Sequence, residues 1–173
     1  MKNNIVLCGF MGCGKSTVGR LLAEEIGFTL ADSDTCIEQR EKMTVSEIFS
    51  KHGEGYFREA ETAVIKELSE QSGLIIATGG GAVLKSENAA YLRETGLVVF
   101  LDVAPETVLK RLEGDTSRPL LMRDDKEAAV NELLSFRRPL YSSASDVTVD
   151  ANGHVEAVAD KILAVYRNEL SKS

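Results

Sequence analysis

The sequence predicts an α/β fold in which a five-stranded parallel sheet lies between two layers of helices. Short apolar runs alternate with segments of helical period along all 173 residues. The runs are nearly continuously apolar, which indicates strands covered on both faces, as in parallel sheets. A glycine-rich loop follows the first run and precedes an amphipathic helix, so we expect ligands at the carboxyl ends of the strands.

Five runs rich in β-branched and other apolar residues predict the strands. They lie at residues 5–8, 28–31, 74–77, 97–101 and 146–149, and the second run has the weakest pattern. Between them, apolar residues recur at steps of three and four, which is typical of helices that present one face to a core. These helical segments include residues 21–26, 60–68, 130–134 and 155–166.

Local signals mark where several helices begin and end. Thr44 and Glu47 have the spacing of a capping box, and Pro105 suits the first turn of a helix. Gly73 and Gly96 stand where helices are expected to stop.

Size and composition indicate one domain and exclude several classes of function. A chain of 18.8 kDa falls within the usual size of a single domain, so we assign residues 1–173 to one unit. The net charge of −7 disfavours nucleic acid as a partner. No apolar run approaches the ~20 residues that cross a bilayer, and no signal segment opens the chain. Three cysteines without metal-site spacing fit a reducing compartment, so we expect a cytoplasmic protein, and we expect a monomer.

The glycine-rich loop is a complete phosphate-binding motif. Residues 9–16 read GFMGCGKS, directly after a strand and directly before a helix, which is the context that this motif requires. Glycines let the backbone N–H groups turn towards phosphate oxygens, and the helix N-terminus adds partial positive charge. We expect Lys15 to reach the β- and γ-phosphates and the Ser16 hydroxyl to bind Mg²⁺. The alternative, a chance glycine-rich turn, does not explain the context.

Cys13 occupies a free position inside this loop and has two interpretations. It is either a small tolerated side chain or a thiol whose pKa the electropositive loop lowers, so that alkylating agents would inactivate the protein.

Two groups of acids compete for the metal that accompanies ATP. Asp102 ends a predicted strand, whereas Asp32 and Asp34 follow the strand after the loop helix. In an extended segment, residues two apart point the same way, so Asp32 and Asp34 can face one site. The alternative is that both acids only begin a helix, while Asp102 ends its strand or caps the next segment of the chain.

Several arginines are placed to bind an anion. Arg58 has Glu61 one turn further on, where a solvated ion pair is the default interpretation. Arg137 continues the apolar stripe of its helix while Arg138 turns away, so Arg137 needs either an internal carboxylate or an anionic ligand. Arg118 lies in an unpatterned segment at 114–126, where it is either a solvated charge or an arginine that swings onto a transferring phosphoryl.

Three consecutive glycines, Gly79, Gly80 and Gly81, follow the third predicted strand. They either allow a substrate to approach the backbone closely or form a strained turn between strand and helix.

Six motifs in this order resemble the shikimate kinase family over nearly the whole chain. They are GFMG at 9–12, DSD at 32–34, FRxxE at 57–61, the glycines at 79–81, RPLL at 118–121 and RxPLY at 137–141. The resemblance implies a fold of the nucleoside monophosphate kinase type, with an acceptor-binding region at about 33–61 and a mobile lid at about 112–126. It also implies transfer of the γ-phosphoryl of ATP to the 3-hydroxyl of shikimate, with Mg²⁺, in aromatic amino acid biosynthesis.

The resemblance implies a role for each matching residue. The residues implied to bind ATP are Gly12, Cys13, Gly14, Lys15, Ser16, Thr17, Arg111, Arg118 and Asn152. Those implied to bind shikimate are Asp34, Arg58, Gly79, Gly80, Gly81 and Arg137, in a pocket that Val45, Phe49, Phe57 and Glu61 help to shape. Lys15, Asp34 and Arg118 would be catalytic, while Ser16 and, through water, Asp32 would serve the metal.

Two other functions remain as alternatives. A kinase acting on gluconate or a nucleoside monophosphate would keep the phosphate loop, since arginines also bind phosphate. A nucleotide-binding sensor without catalysis would keep the fold, although the intact Lys15, Ser16, Asp32 and Asp34 disfavour it.

Overall fold

Five parallel strands form one sheet in the computed structural model, which describes residues 2–114 and 124–172. The strands are β1 (Asn4–Cys8), β2 (Thr29–Asp32), β3 (Leu74–Ala77), β4 (Gly96–Asp102) and β5 (Val147–Asp150). Their order across the sheet is β2-β3-β1-β4-β5, and every neighbouring pair is parallel. The predicted fold class is therefore confirmed, while the strand order is new information.

Helices connect the strands. They are α1 (Lys15–Ile26), α2 (Ser33–Glu41), α3 (Val45–Ser69), α4 (Ser86–Thr95), α5 (Pro105–Arg111), α6 (Lys126–Ala144) and α7 (Val155–Ser171), with a short 3₁₀ turn at Ala82–Leu84. α1 packs against α7, and α3 packs against α2 and α4. None of the described helices is long and apolar enough to span a bilayer.

The centre of the sheet is the centre of the core. β1 lies between β3 and β4, where Ile5 pairs with Ile75 on one side and Leu97 on the other. All five residues of β1 are buried. Because successive side chains of a strand point to opposite faces, both faces of this strand must be covered. This explains why the strand segments of the sequence are almost continuously apolar. Because β1 is buried at the centre of the sheet, it holds the start of the phosphate loop at a fixed position.

Three of the four predicted signals for helix ends are confirmed, whereas Gly73 lies beyond the end of α3, whose last helical residue is Ser69. The Thr44 side chain accepts a hydrogen bond from the Glu47 backbone at 3.2 Å, and the Glu47 carboxylate accepts one from the Thr44 backbone at 2.8 Å. Pro105 is the first residue of α5, and Gly96 directly follows α4.

α3 contains a break that the sequence patterns did not indicate. Gly53 has φ 83° and ψ 174°, a conformation almost restricted to glycine, while the residues around it are helical. The break separates Phe49 from Phe57 and Arg58. The helical segments before and after Gly53 therefore run in different directions, and each contributes side chains to the site.

Candidate active site

The phosphate loop depends on glycine at the point where it leaves the sheet. Gly9, Gly12 and Gly14 all have positive φ, at 145°, 74° and 94°. A Cβ on Gly9 would lie only 2.8 Å from the Leu101 carbonyl oxygen, so no larger residue fits there. The loop therefore curls tightly against the end of β4 before α1 begins.

Lys15 and Ser16 begin α1 and face the inside of this loop. The Lys15 ammonium donates to the carbonyl oxygens of Gly9 at 2.7 Å and Phe10 at 3.3 Å. A cation held over the loop at a helix N-terminus is well placed for the phosphates of a nucleotide. The geometry supports the role that the sequence predicts for Lys15.

A cavity of about 480 Å³ opens beside the loop and brings the predicted groups together. Its lining comprises Met11, Gly12, Gly14, Lys15, Ser16, Thr17, Asp32, Asp34, Val45, Phe49, Phe57, Arg58, Glu61, Thr78, Gly79, Gly80, Gly81 and Arg137. Asp34, Arg58 and Arg137 are far apart along the chain, yet all three line this one cavity.

The glycine triplet is the surface against which the charged groups pack. A Cβ on Gly79 would lie 2.7 Å from Asp34 Oδ1, and a Cβ on Gly81 would lie 2.7 Å from Arg58 Nη2. A Cβ on Gly80 would lie 3.6 Å from Arg137 Nη1. Each glycine thus faces a different charged group, which explains why side chains are absent at 79 and 81.

Asp32 and Asp34 meet in the site by a different route from the one predicted. Ser33 already begins α2, the Asp32 carboxylate caps the helix by accepting from the Thr35 N–H at 3.0 Å, and Asp34 lies in the first turn. The expected extended segment is therefore wrong, because the helix starts one residue earlier than that geometry allows. Both acids begin a helix, and both nevertheless line the cavity.

The carboxyl of Asp34 is half-buried and in a conflicting electrostatic environment. Burial raises the pKa of Asp34 above its ordinary value, and the charge of Asp32 raises it further. Lys15 and Arg58 lower the pKa but do not outweigh burial. Asp34 therefore holds a proton more readily than a solvated aspartate does.

Arg58 is held by a buried carboxylate. Its Nη1 donates to Glu61 Oε1 at 2.8 Å, and Glu61 is only 1% exposed. Burial raises the pKa of Glu61, while the hydrogen bond and charge of Arg58 oppose that shift. The predicted Arg58–Glu61 pair is present, but it is a partly buried positioning contact and not a solvated surface pair.

Arg137 and Arg138 point to different environments, as their positions on α6 predict. Arg138 donates to Asp102 Oδ1 at 2.9 Å, so Asp102 ends its strand in an ion pair and does not line the cavity. Arg137 forms no ion pair with any carboxylate in residues 2–114 and 124–172 and lies beside the Tyr141 hydroxyl. An anionic ligand is thus the better of its two interpretations.

An apolar wall completes the acceptor side. The rings of Phe49 and Phe57 lie 4.8 Å apart, and the Arg58 guanidinium lies 5.3 Å from the centre of the Phe57 ring. Val45 lines the same cavity. The cavity therefore presents cations and backbone groups on one side and hydrocarbon on the other, which suits a small cyclic acid.

Arg111 defines a second, smaller cavity on the other side of the loop. Its guanidinium donates to the Gly12 carbonyl at 3.1 Å and the Ala151 carbonyl at 2.9 Å. The adjoining cavity, of about 130 Å³, is lined by Cys13, Gly14, Thr17, Val18, Arg111, Ala151, Gly153, Val155 and Val158. This position next to the phosphate loop is suitable for stacking on adenine.

The Asn152 side chain forms internal hydrogen bonds, and its expected contact with ATP stays a prediction. Its side-chain oxygen accepts from the Ala104 N–H and the Thr107 hydroxyl, both at 2.8 Å, and its amide donates to Asp150. The side chain is not part of the cavity lining beside Arg111. These internal bonds tie the start of α5 to the loop after β5, so the geometry gives no support to direct ATP binding by this side chain.

Cys13 is 1% exposed, which favours its interpretation as a small packed side chain. Its sulfur lies 3.6 Å from Lys15 Nζ. The thiol is therefore almost completely shielded from bulk solvent in this conformation.

The described residues offer oxygen ligands for a metal but no cage. In residues 2–114 and 124–172 no cluster of three or more His, Cys, Asp or Glu side chains could hold an ion. The Ser16 hydroxyl and the Asp32 carboxylate line the same cavity beside Lys15. Mg²⁺ is usually bound by one or two carboxylates together with the phosphates of the substrate. These residues therefore fit that ion.

Comparison with known proteins decides the family. The shikimate kinase family model matches residues 11–167. A shikimate kinase of Caldicellulosiruptor saccharolyticus is 42% identical over 170 residues, covering 98% of each chain. One from Moorella thermoacetica is 48% identical over 164 residues, covering 94% of this chain and 93% of the relative.

The chain belongs to the shikimate kinase family. The structure of the Acinetobacter baumannii shikimate kinase in complex with shikimate superimposes with a TM-score of 0.90 at 40% identity, covering 96% of this chain and 94% of that one. Membership makes this protein an ATP-dependent kinase of shikimate in aromatic amino acid biosynthesis.

Two of the predicted shikimate kinase features lie wholly or partly outside the described residues. Arg118 is one of them, so its contact with the transferring phosphoryl stays a prediction. The other is the lid at 112–126, of which residues 112–114 form the turn after α5 and Lys126 begins α6.

Sequence reasoning also missed two polar residues of this shikimate kinase site. Ser33 is fully buried, and its hydroxyl accepts from the Gly79 N–H at 2.9 Å. Thr78 lines the cavity, and its hydroxyl donates to the Leu7 carbonyl at 3.1 Å. No periodicity or spacing distinguishes them, because each acts through a single hydrogen bond to the backbone of a distant strand or loop.

Proposed function

We propose that the cavity beside the phosphate loop is where this shikimate kinase transfers the γ-phosphoryl of ATP to the 3-hydroxyl of shikimate, giving shikimate 3-phosphate and ADP. The observation that supports it is the convergence of Asp34, Arg58 and Arg137 on one cavity with Lys15 and Ser16. An acid that carries several hydroxyls needs this set of partners, namely cations for its carboxylate and a short acid for its hydroxyls.

The acceptor carboxylate is bound by Arg58 and Arg137 in this proposal. Guanidinium groups present paired donors that match the two oxygens of a carboxylate. Glu61 holds Arg58 in place, and Arg137 has no internal carboxylate to neutralise it within the described residues. The backbone of the glycine triplet, which lies against both arginines, supplies further close contacts to the acceptor.

Asp34 accepts hydrogen bonds from the acceptor hydroxyls and takes the proton of the attacking one. A base is most effective when its pKa lies near the working pH, and burial moves the pKa of Asp34 in that direction. Loss of the proton to Asp34 makes the 3-oxygen a better nucleophile for the γ-phosphorus, with ADP as the leaving group.

The phosphoryl group is positioned by Lys15 and by the backbone N–H groups of the loop, and we propose that Arg118 joins them. Mg²⁺ would be held by the Ser16 hydroxyl and, through water, by Asp32, and would neutralise charge on the phosphates. Phosphoryl transfer of this kind depends on positioning and charge neutralisation rather than on covalent chemistry of the protein.

An acceptor panel tests the proposal directly. The purified protein is assayed for ADP release with ATP and Mg²⁺ in the presence of shikimate, gluconate or AMP. We expect turnover with shikimate alone and its loss when EDTA removes the metal. Faster turnover with gluconate or AMP would show that this compound, and not shikimate, is the acceptor. ATP binding without any acceptor-stimulated release of ADP would indicate a sensor.

We also propose that the enzyme works as a cytoplasmic monomer. Its three cysteines are all free, and two of them are buried, which suits a reducing compartment. Every acceptor group named above comes from one chain, so the site needs no second copy. Sedimentation at the mass of one chain, 18.8 kDa, is the expected result.

A further inference from the structure

The glycine triplet must be held in place for the acceptor site to exist. It has no side chains of its own, and Asp34, Arg58 and Arg137 each lie against one of its members. A loop of three glycines is intrinsically free to move, because glycine has the widest range of backbone conformations. Something outside the triplet therefore has to restrain it.

Ser33 provides one restraint. The last paired residues of β2 and β3 are Asp32 and Ala77, so the sheet itself does not reach the triplet. The Ser33 hydroxyl continues the connection by accepting from the Gly79 N–H at 2.9 Å. A serine in the first turn of a helix commonly bonds to its own helix, whereas this one bonds across to the loop of the neighbouring strand. The residue next to it, Asp34, faces the same glycine.

Tyr141 provides a second side-chain restraint, in addition to the backbone hydrogen bonds that the Gly79 and Gly81 carbonyls accept from the N–H groups of Ala82 and Leu84. It is completely buried against Phe100, at a ring-centre distance of 5.3 Å, and its hydroxyl donates to the Gly80 carbonyl at 2.5 Å. Tyr141 lies one helical turn after Arg137, so both project from the same face of α6. The hydroxyl is thus shared between the glycine loop and the guanidinium that faces it.

We propose that Ser33 and Tyr141 are positioning residues that fix the glycine triplet between the acid and the arginine that bind the acceptor. Each restraint comes from the element that carries the corresponding acceptor group, α2 for Asp34 and α6 for Arg137. The two hydroxyls therefore set the distance between the triplet and these groups without touching the acceptor. The inference rests on the proposed function, since it names what keeps that site in register.

The variants Ser33→Ala and Tyr141→Phe remove only the hydroxyls. We expect each to raise the KM for shikimate roughly tenfold, the effect of losing one neutral hydrogen bond, while the KM for ATP changes less than about twofold. The Ser33→Thr variant keeps the hydroxyl and should restore the wild-type KM. Binding of shikimate, measured by calorimetry, should weaken in parallel.

Matched controls separate positioning from general stability. Tyr166 is a buried tyrosine on α7 whose hydroxyl donates to the Lys2 carbonyl at 3.1 Å, and Ser69 is a buried serine whose hydroxyl donates to the Lys66 carbonyl at 2.7 Å. The variants Tyr166→Phe and Ser69→Ala should lower the melting temperature to a similar extent with both KM values unchanged.

Three results would overturn the inference. They are a wild-type KM for shikimate in both hydroxyl variants, an equal rise in the KM for ATP, and the same rise in the controls. If Ser33→Thr kept the wild-type melting temperature and were as defective as Ser33→Ala, the hydroxyl would not be the cause. A wild-type enzyme that turns over shikimate while the variants are unaffected removes only this inference, whereas a wild-type enzyme inactive towards shikimate removes the proposed function and this inference together.

Discussion

At the scale of single residues, the acceptor site is built from charged groups whose burial lowers the stability of the folded protein. Asp34 is half-buried with a raised pKa, and Arg137 has no internal carboxylate partner in the part of the chain that is described. Groups in such environments are typical of functional sites, because the same burial that destabilises the free protein strengthens contacts with a ligand.

The Asp34→Asn variant should lose turnover and gain stability. Removing a general base lowers kcat by about 10²–10⁴-fold, and the KM for ATP should stay near wild type because the phosphate loop is unchanged. A raised pKa means that the folded state disfavours the charged carboxyl, so the ionised form costs stability above the folded pKa. Activity assays and thermal unfolding at pH 7 measure both effects.

The stability gain of this variant should depend on pH. It is present at pH 7 and shrinks as the pH falls through the folded pKa of Asp34 towards the ordinary value of 3.8, where the wild-type carboxyl is protonated too. The Asp150→Asn variant is the control of opposite sign, because hydrogen bonds from Asn152 lower the pKa of Asp150. Wild-type kcat in Asp34→Asn would exclude catalytic use of this carboxylate.

The Arg58→Lys variant should raise the KM for shikimate about tenfold or more with little change in the KM for ATP, because an ammonium cannot form the paired contact. Steady-state kinetics with each substrate varied in turn is the measurement. Arg93→Lys serves as the control, since Arg93 pairs with Asp146 and is not part of the cavity lining. An unchanged KM for shikimate would count against a carboxylate clamp.

Residue patterns and the family resemblance together predicted most of the residues that line the cavity, and the differences between prediction and structure have a physical cause. Asp34, Arg58 and Arg137 were found because a motif or a helical stripe marks each of them. The helix start at Ser33 was missed because the boundary between β2 and α2 can move by one residue without any change in the local residue types. The bond that Asn152 accepts from the Ala104 N–H and the bond that Ser33 accepts from the Gly79 N–H join residues 48 and 46 positions apart, so no local pattern indicates them.

At the scale of elements, α3 combines two helical segments with one interruption. The first segment carries Phe49 and the second carries Phe57 and Arg58, and the change of direction at Gly53 lets both face the cavity. In a straight helix, residues eight and nine apart point about 80° and about 180° away from each other, so Phe49 and Arg58 would lie on opposite faces.

The two glycines of this region should respond to alanine in opposite ways. Gly53→Ala should destabilise the protein by about 1–3 kcal/mol, because φ 83° with ψ 174° is nearly inaccessible to alanine. Gly55→Ala should stabilise it by about 0.5–1 kcal/mol, because Gly55 is helical and a Cβ there meets nothing within 4 Å. Chemical denaturation measures both.

Kinetics give a second readout for the same pair. Only Gly53→Ala should also raise the KM for shikimate, since only that substitution redirects Phe49. Equal effects of the two alanines on stability would show that the break at Gly53 is not a required conformation.

At the scale of the whole molecule, the elements were predictable but their arrangement was not. Strand and helix positions follow from local periodicity, so β1 to β5 all appear near their predicted positions. The order β2-β3-β1-β4-β5 depends on which apolar runs pair across long separations, and the runs are chemically alike. Only the phosphate loop indicated where the ligand edge of the sheet lies.

The acceptor region and the sheet should unfold together as one domain. Ile37, Ile48 and Phe57 from the acceptor region belong to the same buried cluster as Ile5 of the central strand. Ile48→Ala should therefore lower the midpoint of a single transition, at a cost of about 2–5 kcal/mol for a fully buried isoleucine. Circular dichroism and intrinsic tyrosine fluorescence should report the same midpoint.

The control for that experiment is Leu170→Ala, at a side chain that is 41% exposed, which should shift the midpoint by less than about 0.5 kcal/mol. Two separate transitions, of which Ile48→Ala moves only one, would divide the chain into two units.

A pocket wall made of backbone has a consequence for redesign of this enzyme. Residues 79–81 have no rotamers, so an incoming acid meets a surface that no change of side-chain conformation can reshape. A side chain introduced at 79 or 81 would have to displace Asp34 or Arg58 from its place in the site. Variants selected to accept bulkier or differently substituted rings should therefore accumulate changes at Val45, Phe49 and Phe57, and the glycines at 79 and 81 should survive such selection unaltered.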